Sequence, residues 1–304
     1  MMSVLRLSIL LIVFLVLPAA FCEAKDGSAV LVAQDFTEIL ARSLTRNTPI
    51  DVVRAVPGGY SPDTHASYMK KHWKVFSELS RKADAVLVME GAWPEDPLYP
   101  LARRANIKIV PIDIATPLDH GRAGVPLLEV PGTGEQLRHV WYSPANTARM
   151  LDITAADLAR LFPDYAGAIE KNRDDLKREL FRLRTRYETA FSELDAYEVI
   201  SLTSDFYYLT DEFGISVIEF FLKPEHRWDE VDLQEFAEVL SSSHVKCVVA
   251  KWLPGENIQK IITAAGARTV VLKPFKLVAE LEPSRQLVEF YQKNLGLLFD
   301  GLSR

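Results

Sequence analysis

Cysteine is scarce in this sequence. There are two, Cys22 and Cys247, and no CxxC pair. Cys22 lies at the edge of an N-terminal apolar run that export would remove. The single remaining thiol excludes an intramolecular disulfide scaffold, a thioredoxin-type site and a thiolate zinc site. Cys247 sits in Val245-Lys246-Cys247-Val248-Val249-Ala250 and reads as a buried strand cysteine. There is no basic excess either. Lys plus Arg is 35 against 41 Asp plus Glu, a net charge of −6, so nothing electrostatic argues for a nucleic-acid partner. GxSxG, a Gly-rich phosphate loop and HExxH are all absent. Asp205, Tyr207 and Tyr208 could face a cleft, but no acid–base pair with a defined partner accompanies them. The chain therefore reads as a non-enzyme.

What is present is an ordinary packed composition. Of 304 residues, 48% are hydrophobic and 25% charged, and that length allows about two domains. The N-terminus carries Arg6, then the apolar stretch Leu7 to Leu17, then Pro18, small residues and Cys22-Glu23-Ala24. This is the pattern of a secretory signal over residues 1–24, and it is short for a membrane span of about 20 residues. An uncleaved N-terminal anchor is the alternative. Phe21 stands where a lipobox needs a small residue, which argues against lipidation at Cys22. No later apolar run reaches membrane length, so the expected location is periplasmic or extracytoplasmic.

The first half alternates short β-branched runs with helical patterns. Ala29–Ala33, Ile50–Val56, Ala85–Met89 and Ile107–Ile112 read as strands. Phe36–Leu44, His65–Ala83 and Leu98–Ala105 read as helices. Such alternation implies βαβ units and a parallel sheet. Pro117–Gln136 breaks the rhythm and reads as a long surface loop. Ser143-Pro144 then has the chemistry of a helix start, an N-cap followed by proline in the first turn.

The clearest element is Tyr165–Leu194. Tyr165, Ile169, Leu176, Leu180, Leu183, Tyr187, Phe191 and Leu194 recur with a period near 3.6, which buries one face throughout. About 30 residues at about 1.5 Å each span roughly 45 Å, enough to bridge two domains. The 3.6 period argues against a coiled coil. The second half repeats the alternation from Glu198 to Leu272 and closes with a helix over Ser284–Phe299. The fold class expected is α/β: two lobes, each a parallel β-sheet flanked by helices, joined by one long bridging α-helix. The boundaries expected are 25–142 for the N-terminal lobe, 143–195 for the connecting segment and 196–304 for the C-terminal lobe.

Several segments carry a family likeness. They are Val56-Pro57-Gly58-Gly59-Tyr60-Ser61-Pro62-Asp63-Thr64, Lys82-Ala83-Asp84-Ala85-Val86-Leu87-Val88, His139-Val140-Trp141-Tyr142-Ser143-Pro144-Ala145-Asn146 and Asn294-Leu295. In order and spacing, and together with the long helix, they resemble the periplasmic solute-binding proteins of metal ABC importers, the zinc and manganese type. The resemblance covers the whole mature chain. It implies a divalent metal, zinc or manganese, held between the lobes as transported ligand, and a permease in the inner membrane as partner. A monomer is expected.

The family's ligand set is only partly retained. His139 matches the family's HVW histidine. Asp63 stands where a histidine is usual, with His65 two positions on. Thr203 and Ser204 occupy a His-Asp pair, with Asp205 next, and Lys273 replaces the final carboxylate before Pro274. His139, Asp63, His65 and Asp205 are thus the candidate metal ligands, while Thr203 and Lys273 are not expected to ligate. The plain alternatives are a capping histidine for His65, a structural histidine at a strand start for His139 and a turn residue for Asp63. His120, His226 and His244 read as solvated loop or helix-end residues, and the Pro117–Gln136 loop has no histidine run. An ammonium about 5 Å from a divalent ion, at an effective dielectric near 20, is repelled by ~7 kcal/mol. Either Lys273 points away, or the cleft does not hold a divalent ion in the family's manner, or Lys273 pairs with Asp63 or Asp205 in the metal's place. The last case describes a degenerate relative that binds a non-metal solute or a protein partner.

Overall fold

The computed structural model describes residues 28–119, 121–278 and 281–303. The signal segment, Cys22 and His120 lie outside them. The N-terminal lobe runs Ala29–Val32 (β1), Asp35–Leu44 (α1), Asp51–Arg54 (β2), His65–Lys71 (α2), Trp73–Lys82 (α3), Ala85–Val88 (β3), Leu98–Ala105 (α4) and Val110–Asp113 (β4). Two long helices follow, Pro144–Leu161 (α5) and Ala166–Ser192 (α6). The C-terminal lobe runs Glu198–Ser201 (β5), Tyr207–Glu212 (α7), Ser216–Phe220 (β6), Glu230–Ser243 (α8), Cys247–Ala250 (β7), Glu256–Ala264 (α9) and Arg268–Val271 (β8), and Pro283–Ser303 (α10) closes the chain.

Each lobe holds a four-stranded parallel sheet, ordered β2-β1-β3-β4 and β6-β5-β7-β8. In the first, Val30 pairs with Val52 on one side and Ala85 on the other; in the second, Ile200 pairs with Val248. The sequences of β1, β3 and β7 are unbroken apolar runs, and every residue in them is buried. Helices covering both faces of a parallel sheet require that, because no face is left for a polar residue. Cys247 is one of these residues, and burial pushes its thiol up to about 12, which makes it inert.

The bridging helix α6 is 27 residues long, roughly 40 Å. Its buried stripe is Ile169, Asn172, Leu176, Leu180, Leu183, Tyr187 and Phe191. Near its start, Asn172 Nδ2 donates to Leu44 O at 2.9 Å and Arg46 O at 2.7 Å, tying it to the end of α1. Near its end, Phe191 packs on Phe213 and Phe299, and Tyr187 OH donates to Gln292 O at 2.9 Å. The helix therefore touches both lobes with different ends of one face. The terminal helix α10 makes a second link, packing on α1, α6 and β8.

Four local expectations differ from the structure. The segment His65–Ala83 forms two helices, broken at His72 (φ −106°, ψ 34°), although no proline or glycine marks the break. The strand expected from Ile107 begins at Val110, because Asn106 ends α4 and its Nδ2 donates back to Ser80 O and Ala83 O. Val140–Tyr142 is a 3-10 turn, so His139 caps a turn and does not start a strand. The 117–136 segment is more than a surface loop. Tyr208 OH of α7 accepts from Leu128 N and donates to Leu137 O, which fastens the loop to the C-terminal lobe and buries Val130 and Leu137.

Candidate functional site: the interlobe cleft

Parallel α/β sheets place their loops, and hence their ligands, at the carboxyl ends of the strands. Here those ends from both sheets line one cleft of about 510 Å³. The N-terminal lobe contributes Gln34 and Asp35 after β1, Arg54 at the end of β2 and His65 at the start of α2. The C-terminal lobe contributes Asp205 after β5, Lys251 after β7 and Pro274-Phe275 after β8. Between them stands the turn carrying His139, Trp141 and Tyr142. A smaller hollow of about 310 Å³, lined by Thr203, Ser204, Trp228 and Trp252 among others, lies beside it and shares Lys251.

The floor of the cleft is aromatic and crosses the lobe boundary. Phe36 stacks on Trp141 at 5.6 Å between centroids, and Phe275 meets Phe36 edge-on at 6.2 Å. Tyr142 packs on Phe206 at 4.8 Å and on Phe290 at 5.6 Å. The His139 ring leans on Trp141 and Tyr142, so its orientation is fixed by packing. Such ring pairs add about 0.5–1.5 kcal/mol each beyond their buried area.

The polar contacts centre on Asp205. Its Oδ1 lies 3.7 Å from His139 Nδ1, and its Oδ2 lies 2.5 Å from Lys251 Nζ, an ionic contact without hydrogen-bond alignment. Thr203 Oγ1 accepts from Asp205 N at 3.2 Å, which holds the turn after β5 in shape. Burial lowers the His139 pKa, opposed by Asp205 and assisted by Lys251 and Arg138, so the neutral imidazole is favoured. His65 is lowered by burial too. On the other wall, Arg54 is fully engaged: Nη2 with Asp35 at 2.5 Å, Nη1 with Glu38 at 2.6 Å and Nε with Val56 O at 2.6 Å. Leu277 N adds a bond to Asp35 Oδ2 at 3.2 Å.

Of the four candidate ligands, the structure brings His139, Asp205 and His65 into the cleft wall. His139 and Asp205 meet. His65 is buried, with Nε2 3.4 Å from Tyr60 O and Nδ1 without a partner. Asp63 is not part of the cleft: it is exposed, and its Oδ1 lies 3.9 Å from Arg138 Nη1. Among the described residues, no three His, Cys, Asp or Glu side chains converge as an ion requires. Thr203 holds its turn, as above, and Lys273 does not pair with Asp63 or Asp205. Lys273 is exposed, and its backbone is gripped by Asn294, which accepts from Lys273 N at 2.8 Å and donates to Lys273 O at 3.0 Å. Of the three placements open to Lys273, the salt bridge is not formed, and Lys273 is not among the residues lining the cleft.

Sequence reasoning missed Lys251. A signal was available, since Lys251 directly follows the apolar run ending at Ala250, the end of a buried parallel strand. Gln34 after β1 was missed for the same reason.

Two lobes, a bridging helix and a cleft at the carboxyl ends of both sheets define a solute-binding protein of the kind that serves membrane transporters. The chain belongs to the ZnuA family, described as zinc-uptake complex component A, periplasmic, whose profile matches residues 80–300. That family is one of transporter solute-binding proteins and not of enzymes. The high-affinity zinc uptake system protein ZnuA of Bacillus subtilis is 23% identical over 168 residues, which are 54% of this chain and 53% of that relative. The match thus spans about half the relative's length. Among solved structures, the chain resembles the Pseudomonas aeruginosa protein FpvC in complex with Mn2+ (TM-score 0.67, 18% identity, 91% of this chain and 98% of that one). It also resembles the Zn(II)-bound ZnuA-like domain of Streptococcus pneumoniae AdcA (TM-score 0.66, 18% identity, 91% and 99%). Among the described residues, no helix is long and apolar enough to cross a membrane.

Proposed function

We propose that this protein is the extracytoplasmic receptor of an ABC importer and that its cargo is a divalent metal ion, zinc or manganese, bound in the interlobe cleft. One observation carries the reading: His139 Nδ1 and Asp205 Oδ1 approach to 3.7 Å from either side of the lobe boundary. A half-buried imidazole favoured in its neutral form and a carboxylate are borderline and hard ligands suited to such ions. One ion on both would tie the lobes together. His65, in the same wall, is the next side chain within the cleft able to ligate. The partner would be a permease in the inner membrane, and the working form a monomer exported by its N-terminal signal. The division into 25–142, 143–195 and 196–304 belongs to the same proposal.

Calorimetry on the chelator-stripped chain tests this. Zinc, then manganese, should bind with a stoichiometry of one, and His139→Ala should weaken the binding by about a hundredfold or more. Absence of heat with both ions, or affinity unchanged in His139→Ala, overturns it.

A second reading rests on Lys251. Its ammonium already sits on Asp205, which describes a relative whose cleft carboxylate is neutralised within its own lobe and whose cleft serves a non-metal solute or a protein partner. Under this reading Lys251→Met lowers stability and confers no metal affinity.

A further inference from the structure

We propose that the smaller hollow beside the cleft is a second binding site, and that it takes a small organic cation of the quaternary-ammonium type. The inference does not depend on what the interlobe cleft carries.

The hollow lies at the carboxyl ends of β5, β6 and β7, where a parallel sheet places its ligands. Its volume of about 310 Å³ suits a small molecule. Two indoles line it. Trp228 is held in place: it packs on Phe221 at 5.8 Å and on Phe236 at 5.4 Å between centroids, and its Nε1 donates to Lys223 O at 2.7 Å. Trp252 is 61% exposed and makes no ring contact with another aromatic among the described residues. Leu222, in the same wall, is exposed too, so the hollow is an apolar surface left open to solvent, as binding sites are.

Charge decides the class of ligand. Two lysines line the hollow and both are engaged, Lys251 Nζ with Asp205 at 2.5 Å and Lys223 Nζ with Asp232 at 2.5 Å. Two carboxylates line it as well, Glu135 and Glu225, and neither has a basic partner among the described residues. The charge left uncompensated is negative, which disfavours an anion and attracts a cation. Both carboxylates are placed by backbone contacts. Glu225 Oε1 accepts from Gly255 N at 2.7 Å, and a Cβ at 255 would lie 2.2 Å from that oxygen, so glycine admits the carboxylate. Glu135 stands on the turn closed by the Glu129–Gln136 bridge and by Val130 N donating to Glu135 O at 2.9 Å.

The walls decide the kind of cation. A metal ion has no ligand set here, since no three His, Cys, Asp or Glu side chains converge among the described residues. Indole faces attract a cation through the ring quadrupole but offer no acceptor to an N–H group. An ammonium without N–H groups loses least when water is displaced by such walls. The chain already brings one cation to this ring: Lys251 Nζ stands 6.0 Å from the Trp252 centroid, the outer limit of the contact, where Asp205 holds it. The ring is left free for a closer one.

The test titrates the purified chain with choline and with its uncharged analogue in which carbon replaces the nitrogen, read by the indole N–H resonances. Choline should shift the Trp252 signal and bind at least about tenfold more tightly than the analogue. Trp252→Leu should weaken choline binding by about tenfold, and Glu225→Gln by about threefold, with melting unchanged and the affinity of the analogue unaffected by Glu225→Gln. Equal affinity for choline and the analogue would show an apolar hollow without charge preference and overturn the inference. Choline binding that survives Trp252→Leu intact, or shifts confined to the Trp141 signal, would place the cation elsewhere and overturn it too. So would the absence of any shift.

Discussion

Lys251 Nζ lies 2.5 Å from Asp205 Oδ2, so the carboxylate offered by the C-terminal lobe is held by an ammonium of the same lobe. This pair, and not Lys273, sets the electrostatics of the cleft. An ion bound to Asp205 would lie about 5 Å from Lys251 and be repelled by several kcal/mol at an effective dielectric near 20. Lys251 is one-third exposed, so solvent takes up much of that. We expect Lys251→Met to tighten binding of uncomplexed zinc by at least about tenfold, read by calorimetry. Zinc affinity equal to that of the parent would show that Lys251 swings clear at no cost.

Glu212 is a second buried carboxylate with an assigned task. It accepts from Ser143 Oγ, from Ala145 N at 3.1 Å and from Arg184 Nε at 2.5 Å, so it joins α7 to the start of α5 and to the bridging helix. Truncation leaves the N–H of Ala145 and Arg184 Nε without their acceptor, while Arg184 Nη2 keeps Glu188 at 2.9 Å. Glu212→Ala should destabilise by roughly 3 kcal/mol, and Glu212→Gln by about half as much, because the amide keeps an acceptor and loses the charge. Urea denaturation followed by circular dichroism measures both. Equal midpoints for the two variants would mean that the hydrogen bonds contribute nothing beyond the charge.

Ligand-driven motion is expected to be small. The lobes are joined by α6, whose two ends bind different lobes, and by α10, which packs on α1 as well as on β8. The Phe36–Trp141 and Phe36–Phe275 contacts tie the N-terminal lobe to segments of the cleft floor. A hinge closure of the type that swings domains about a few loop residues would have to break these contacts together. Small-angle scattering profiles with and without zinc should superimpose. Compaction of the particle on adding zinc would place the flexible point elsewhere.

The architecture was legible because its signals are long or repeated. Unbroken apolar runs at Ala29–Val32, Ala85–Val88 and Cys247–Ala250 can only be strands covered on both faces, and the 3.6-residue stripe from Ile169 to Phe191 runs for most of α6. Short-range features without such redundancy were less so, as at His72, where the helix breaks with no local marker. The site was legible in part. His139 was pointed to by a family motif, and Asp205 and His65 by standing next to one; the structure places all three in the cleft wall. A pairing of Lys273 with Asp63 or Asp205 was one of three placements open from the sequence, because order along the chain says nothing of reach. Side-chain geometry gives Asp205 to Lys251, which follows β7, the strand next to β5, while Asn294 of α10 fixes Lys273.

The N-terminal lobe carries a pH dependence unrelated to the cleft. Asp96 is 4% exposed and accepts from Met89 N at 3.2 Å and Leu98 N at 3.0 Å. Burial raises its pKa from 3.8 to about 6, with the two backbone bonds opposing and Asp113 reinforcing. Asp113 and Glu90 are raised as well, chiefly by burial. A carboxyl whose pKa is higher in the folded state binds more protons there, so its stabilising effect is complete below about pH 4 and is lost as the pH climbs through about 6. For Asp96 alone, a rise of that size corresponds to roughly 3 kcal/mol between the two limits. Over that range the three groups act in the same direction. Urea unfolding across that interval should therefore show a loss of stability with rising pH that Asp96→Asn reduces, since the amide cannot ionise and retains one acceptor for the Met89 or Leu98 N–H. A variant whose stability falls with pH as steeply as that of the parent would move the effect to Asp113 and Glu90.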